Sequence, residues 1–195
     1  MTFHESSQND AMSYDEIISN MNSGIDRIVN IVRSLNNFNQ ADQKSKGRVD
    51  LNKIIDETLI LLRHEIHNKV VLEKKINDQL MIIGNEGQLY QVFNNIIMNA
   101  IHALGENGKI IIDLKKHKDF YVIKIKDNGI EINKEDKLKI FDPFFTTKDP
   151  GEGVGLGLSI VHQIILDHDA HISYDSEVNT GTTVSLEFQR ATDEV

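Results

Sequence analysis

Gln88–Leu104 reads QLYQVFNNIIMNAIHAL, and its spacing decides more of the fold than any other stretch. Leu89, Val92, Phe93, Ile96, Ile97, Ala100, Ile101 and Leu104 recur three and four apart, the repeat of one helical face. The spacing predicts an amphipathic helix over 86–104 with those side chains inward. Asn95 and Asn99 lie four apart and His102 three further on, so all three share another face. Amides on a largely apolar helix are costly unless satisfied. They either brace neighbouring strands or offer carbonyl oxygens to a hard cation such as Mg²⁺, which takes oxygen ligands and bridges phosphates.

On both sides of this helix the pattern alternates. Val70–Ile76 and Leu80–Ile83 precede it, and Lys109–Lys116, Phe120–Lys126, Ala170–Asp175 and Thr182–Phe188 follow; each reads as a strand with one buried face. A short strand at Val49–Leu51 and a helix over Asn52–His67 come earlier, and a helix over Gly155–Asp167 comes late. Antiparallel strands covered by two or three helices make an α+β chain, a two-layer α/β sandwich. Farther upstream, Ile18, Met21, Ile25, Ile28, Val32 and Leu35 repeat as a heptad seam on a helix of about 14–39, which calls for a partner helix. The expected division is a tail (1–12), a lone helix (13–40), a linker (41–47), the main domain (48–190) and a short tail (191–195).

Two further stretches carry chemistry. In Gly153-Val154-Gly155-Leu156-Gly157-Leu158-Ser159, alternate glycines open a helix. Glycine lets backbone approach a ligand, and a helix start offers unpaired N–H groups that suit phosphate. No Lys-Ser/Thr pair follows, so this is not a Walker loop, and no strand directly precedes it, as a dinucleotide fold requires. Asp127-Asn128-Gly129 ends a strand, where the carboxylate either caps a turn or accepts a hydrogen bond from a buried ligand amine.

Bulk properties narrow the class. The formal net charge is −9, which argues against nucleic acid as a partner. The absence of cysteine removes disulfides, a thiol nucleophile and a Cys-based zinc site. No secretory signal or membrane-length apolar run is present, so a cytoplasmic location is expected, compatible with a membrane-anchored parent.

The order of these pieces is specific. QLYQVFNNIIMNAIHAL, DNG, IFDPFFTTK, GVGLGLS and TGTT resemble, in that order, the N, G1, F and G2 boxes and the final Gly-Thr motif of the sensor histidine kinase ATP-binding domain, of one superfamily with gyrase, the Hsp90 chaperones and MutL. The resemblance spans about 48–189, and the helix over 14–39 resembles the second helix of the family's dimerisation and phosphoacceptor hairpin. It implies a Bergerat-type ATP-binding fold, Mg-ATP as cofactor, a response regulator as partner and a homodimer formed through the 13–40 helix. Residue by residue, it implies that Asn99 coordinates Mg²⁺ with Asn95 assisting, and that His102, where many members carry Lys, touches phosphate. Asp127 would bond the adenine amino group, Gly129 would let the backbone approach the ring, and Thr182 would help hold that Asp or its water. Phe141, Phe144 and Phe145 would anchor the lid, the stretch from Gly153 through Val154, Gly155, Leu156 and Gly157 to Leu158 would cradle phosphates, and Lys148 would reach the terminal one.

Asn95 adds a mechanistic point. ATP-hydrolysing relatives carry a Glu there as base, and an amide cannot accept a proton at neutral pH. Asn95, His102 and Lys148 therefore suit a kinase that transfers phosphate by positioning and charge neutralisation. Two departures stand against the pattern. Glu131 replaces the second glycine of Asp-x-Gly-x-Gly and would cost about 1–2 kcal/mol if that position needs positive φ. His4-Glu5 lacks the proline of the His-Glu-x-x-x-Pro acceptor motif, so the acceptor histidine is expected on a helix outside this chain. The competing expectations are a nucleotide-binding regulatory module without transfer activity and, disfavoured by Asn95, a stand-alone ATPase.

Overall fold

The computed structural model describes Tyr14, Ile18, Met21, Gly24 and residues 46–67, 70–148, 153–177 and 180–191. Tyr14, Ile18, Met21 and Gly24 are helical and exposed; the rest of the expected 14–39 helix, most of the linker, the first tail and residues 192–195 lie outside the described residues. No helix among the described residues is long and apolar enough to cross a membrane.

The main domain runs β1 (Gly47–Asp50), α1 (Leu51–Leu61), α2 (Arg63–Ile66), β2 (Val70–Lys74), β3 (Met81–Gly84), α3 (Glu86–Ala103), β4 (Gly108–Lys116), β5 (Phe120–Asp127), α4 (Gly157–Asp167), β6 (His171–Glu177) and β7 (Gly181–Gln189). Five strands form one sheet in the order β2-β4-β5-β7-β6. Only the β2–β4 pair is parallel; the others are antiparallel. β1 and β3 pair antiparallel as a separate ribbon.

α3 is built as its spacing predicts. Asn85 caps it by accepting from the Gln88 N–H at 3.2 Å, satisfying one orphan donor of the first turn. Seven of its eight apolar positions are buried, with Leu104 at the rim of the core. Ile54 and Ile55 of α1, Val161 and Ile164 of α4, and Ile110, Ile112, Ile123, Ile125, Leu186 and Phe188 of the sheet complete that core. The helices thus cover one sheet face and leave the other to solvent.

Two expected elements differ. The helix over 52–67 is broken after Leu61. Leu62 sits at φ −81°, ψ 5°, and its N–H bonds to Thr58 O, so the chain leaves α geometry there before the short α2. The Gly155–Asp167 helix begins only at Gly157, because Gly155 adopts φ +73°, which no α-helix accommodates.

His168, just past α4, is buried and joins two elements. Its Nε2 accepts from the Asn85 N–H at 2.9 Å, while Nδ1 donates to Ile164 O at 2.7 Å. Burial pushes its pKa below 6.5. A depressed histidine binds fewer protons folded than unfolded, so its contribution to stability is present above about 6.5 and lost as pH falls below it. Thermal melts should therefore show the domain losing stability between pH 7 and 5. His168→Gln keeps an acceptor for Asn85 and should flatten that slope; an unchanged slope would show that other groups set it.

Candidate functional site

α3 carries Asn95 and Asn99 half-buried and His102 exposed on the face turned away from the core. Asn95 Nδ2 donates to the Gly157 carbonyl at 3.1 Å, tying the middle of α3 to the first residue of α4. That interaction braces a helix start rather than a neighbouring strand, and it leaves the Asn95 carbonyl oxygen without a hydrogen bond among the described residues. Asn99, one turn on, makes no side-chain hydrogen bond among the described residues. His102 Nδ1 lies 2.8 Å from Lys148 Nζ. An ammonium only donates, so the imidazole accepts at Nδ1. The contact joins α3 to the segment that follows the aromatic run.

Asp127 continues an apolar row. Tyr121, Ile123 and Ile125 point inward from β5, and Asp127 is the next inward position, only 5% exposed. Its Oδ1 accepts from the Gly129 N–H at 2.9 Å and the Thr182 N–H at 3.3 Å. Burial nevertheless raises its pKa above the ordinary 3.8, with those two bonds opposing the shift. The result is a buried acid fixed in orientation by backbone donors. Gly129 is needed for a reason the sequence does not show: a Cβ there would lie 2.4 Å from the Ala103 carbonyl oxygen, against the end of α3.

Thr182 holds Asp127 through its backbone only. Its hydroxyl instead bonds Ser176 Oγ at 3.0 Å, and Ser176 Oγ also accepts from the Ile132 N–H at 2.9 Å. Sequence reasoning missed Ser176. Its signal is register, because Ser176 stands directly opposite Thr182 on the β6–β7 ladder.

The expected strain at Glu131 is absent. The described non-glycine residues with positive φ are Asn107, Phe144 and Asp169, so Glu131 sits in an ordinary backbone conformation that a side chain does not oppose. Glu131→Gly should relieve nothing and instead lower stability by about 0.5–1 kcal/mol through added unfolded-chain entropy. A raised melting temperature for that variant would contradict this.

The aromatic run divides its labour. Phe141 stacks on His162 at 4.9 Å and meets Tyr174 edge-on at 5.5 Å, pinning the run to α4 and β6. Phe145 is half-buried. Phe144 is different: it is 64% exposed at φ +68°, and its N–H donates to Gly155 O at 2.9 Å.

The glycine stretch lies between this run and α4. Residues 149–152 fall outside the described residues. Leu156 is the N-cap position of α4 and supplies no side-chain cap, so the helix start keeps backbone donors for an anion. Leu156 itself is buried, so it can meet a ligand only through backbone, and Val154 is half-buried against the core. Gly153 lies beside Lys148, its Cβ position 3.3 Å from Lys148 Cδ. Leu158 is half-buried on the first turn of α4.

α3 thus faces the lid segment and the start of α4, and Asp127 stands at the sheet end by the last turn of α3. Among the described residues no three His, Asp or Glu side chains cluster as a metal site. The oxygen donors free for a hard cation are the asparagine carbonyls, a weak set that fits a cation arriving with phosphates.

Residues 84–192 match the family of histidine kinase-, DNA gyrase B- and HSP90-like ATPases. The chain is 34% identical over 176 residues to the signal transduction histidine-protein kinase AtoS of Escherichia coli, covering 89% of this chain and 29% of AtoS. It therefore spans under a third of that relative's length. The nucleotide-free catalytic domain of histidine kinase ThkA superposes with a TM-score of 0.66 at 34% identity, covering 75% of this chain and 97% of that one. ThkA in complex with the response regulator protein TrrA gives 0.67 at 27% identity, over 96% of this chain and 54% of that one. Two-layer fold, ordered boxes and a buried strand-end aspartate coincide with these matches, and the chain belongs to the family of histidine kinase-, DNA gyrase B- and HSP90-like ATPases as an ATP-binding catalytic domain of the histidine kinase type.

Proposed function

We propose that this chain holds Mg-ATP and passes its γ-phosphate to a histidine on a helix outside the chain, as the catalytic part of a sensor histidine kinase. The observation that carries this is Asp127: a buried carboxylate preset by two backbone N–H groups, suited to accept from the adenine amino group. Asn99, with the Asn95 carbonyl oxygen, would hold Mg²⁺, which would neutralise phosphate charge. The backbone donors at the start of α4 would take phosphate oxygens, with His102 and Lys148 as further donors. Phe141, through its stack on His162, would set the lid on which Lys148 rides.

Asn95 favours transfer over hydrolysis. Its amide already donates to Gly157 O and cannot take a proton from water. Rate enhancement then rests on holding the γ-phosphate against an incoming imidazole. The ordinary backbone of Glu131 removes one support of the regulatory-module reading. A response regulator would receive the phosphate, as the ThkA complex suggests by analogy, and the helix over 13–40 would pair with a second copy.

A thermal shift tests the core of this reading. Mg-ADP at about one hundred times its Kd should stabilise the protein by about 2.7 kcal/mol. For a chain of this size that is a rise of roughly 5–10 °C. No shift at millimolar ADP refutes nucleotide binding. Asn99→Ala should erase the difference between ADP with and without Mg²⁺. Phosphate transfer is then read as acid-labile label on an acceptor helix supplied in trans.

A further inference from the structure

The sheet face opposite the helices has its own chemistry. Alternation sends Ile110, Ile112, Ile123, Ile125, Asp127 and Thr182 toward the helices, and the residues between them the other way. On that outer face lies a groove of about 310 Å³ lined by Lys75, Ile111, Asp113, Lys124, Lys126 and Thr183. The ladder register places Lys126 between Ile111 and Thr183, and Lys124 between Asp113 and Ser185.

The charges there are unbalanced. Lys124 and Lys126 make no hydrogen bond or ion pair among the described residues. Lys75 lies 3.9 Å from Glu73, but Lys109 already engages that carboxylate at 2.6 Å. Asp113 is the one carboxylate in the groove, and its Oδ1 accepts from the Leu114 N–H at 2.8 Å. Three lysines therefore line the groove beside one acid, in a chain whose net charge is −9.

Spacing names the kind of occupant. Lys124 and Lys126 stand two residues apart on one strand, about 6.8 Å along it. A single small carboxylate cannot span them. An extended peptide with acidic side chains at alternate positions repeats at that same interval, and Ile111 offers its methylenes an apolar floor. We propose that this outer groove is a docking surface for an extended acidic segment of a partner protein, held by Lys75, Lys124 and Lys126. The surface backs onto the nucleotide site: Lys126 and Thr183 are each one peptide bond from Asp127 and Thr182, which hold each other on the inner face.

Fluorescence anisotropy with the full chain and a labelled decapeptide alternating Glu and Thr tests this. Saturable binding that weakens with salt is expected. Lys124→Gln with Lys126→Gln should weaken it about tenfold, from two exposed charge contacts, with the melting temperature unchanged. Lys134→Gln with Lys139→Gln, elsewhere on the surface, should leave it intact, and so should Asp127→Asn, which separates this test from the nucleotide reading. No saturable binding at millimolar peptide, an equal loss in the Lys134 and Lys139 control, or binding of citrate but not of the peptide would each overturn the proposal.

Discussion

Asp127→Asn should lower ATP affinity by roughly 10- to 100-fold while leaving the nucleotide-free protein as stable as before or more so at neutral pH. The two halves have separate causes. Asparagine keeps Oδ1, so it can still accept from the Gly129 and Thr182 N–H groups and hold the loop. Its second atom changes from an acceptor to an NH₂ donor, which would face the donating adenine amine, and a donor meeting a donor forfeits a charge-assisted bond.

The stability half follows from linkage. Burial raises the Asp127 pKa above 3.8. A raised carboxyl contributes stability that is fully present below the unfolded value and lost as pH rises through the folded value. At neutral pH the empty site therefore holds a charge that would be better solvated in the unfolded chain, and neutral Asn removes that cost. Calorimetry for ATP and melts at pH 7 and pH 4 separate the halves: the Asn variant should gain most on wild type at the higher pH. Asp127→Ala should instead lose both affinity and stability, since it strands two backbone donors. Unchanged ATP affinity in both variants would remove Asp127 from the site.

The second large effect is an inequality among glycines. Gly155→Ala should cost about 3 kcal/mol or more, combining φ strain with a backbone clash. Gly155 sits at φ +73°, and a Cβ there would lie 2.5 Å from the Phe144 carbonyl carbon and 2.6 Å from the Phe145 carbonyl oxygen. These are backbone atoms at the base of the lid and cannot rotate away. Relief requires breaking the bond from the Phe144 N–H to Gly155 O, which frees the lid and should abolish measurable nucleotide binding. Gly157→Ala should be nearly neutral for stability, or gain up to about 1 kcal/mol as a better helix former. Its Cβ would meet nothing closer than Asn95 Cγ at 3.7 Å, an ordinary contact. Equal losses in the two variants, by melting temperature and by ADP titration, would contradict this assignment.

That pair of glycines marks how far the sequence reaches. Both stand in one glycine-alternating stretch between aliphatic neighbours, and periodicity treats them alike. What the chain alone determined is whatever repeats locally: the inward face of α3 at spacings of three and four, and the alternation that gives β5 one buried face. The order of its boxes, read by resemblance, likewise anticipated the family. These features follow from the geometry of a single helix or strand, fixed over a few residues.

Only the tertiary structure decided what depends on neighbours far along the chain. Gly129 is required by Ala103, and Gly155 by Phe144 and Phe145. Glu131 sits without strain because its φ is not positive, whereas Phe144, which no local pattern singled out, has a positive one. His168 reads as one scattered histidine among eight until it is seen to reach Asn85, 83 residues away. The outer lysines become a groove only once β4, β5 and β7 are in register. A steric clash, a buried hydrogen bond and a cluster of charges are all distances between atoms that the chain separates and folding brings together, so no local pattern encodes them.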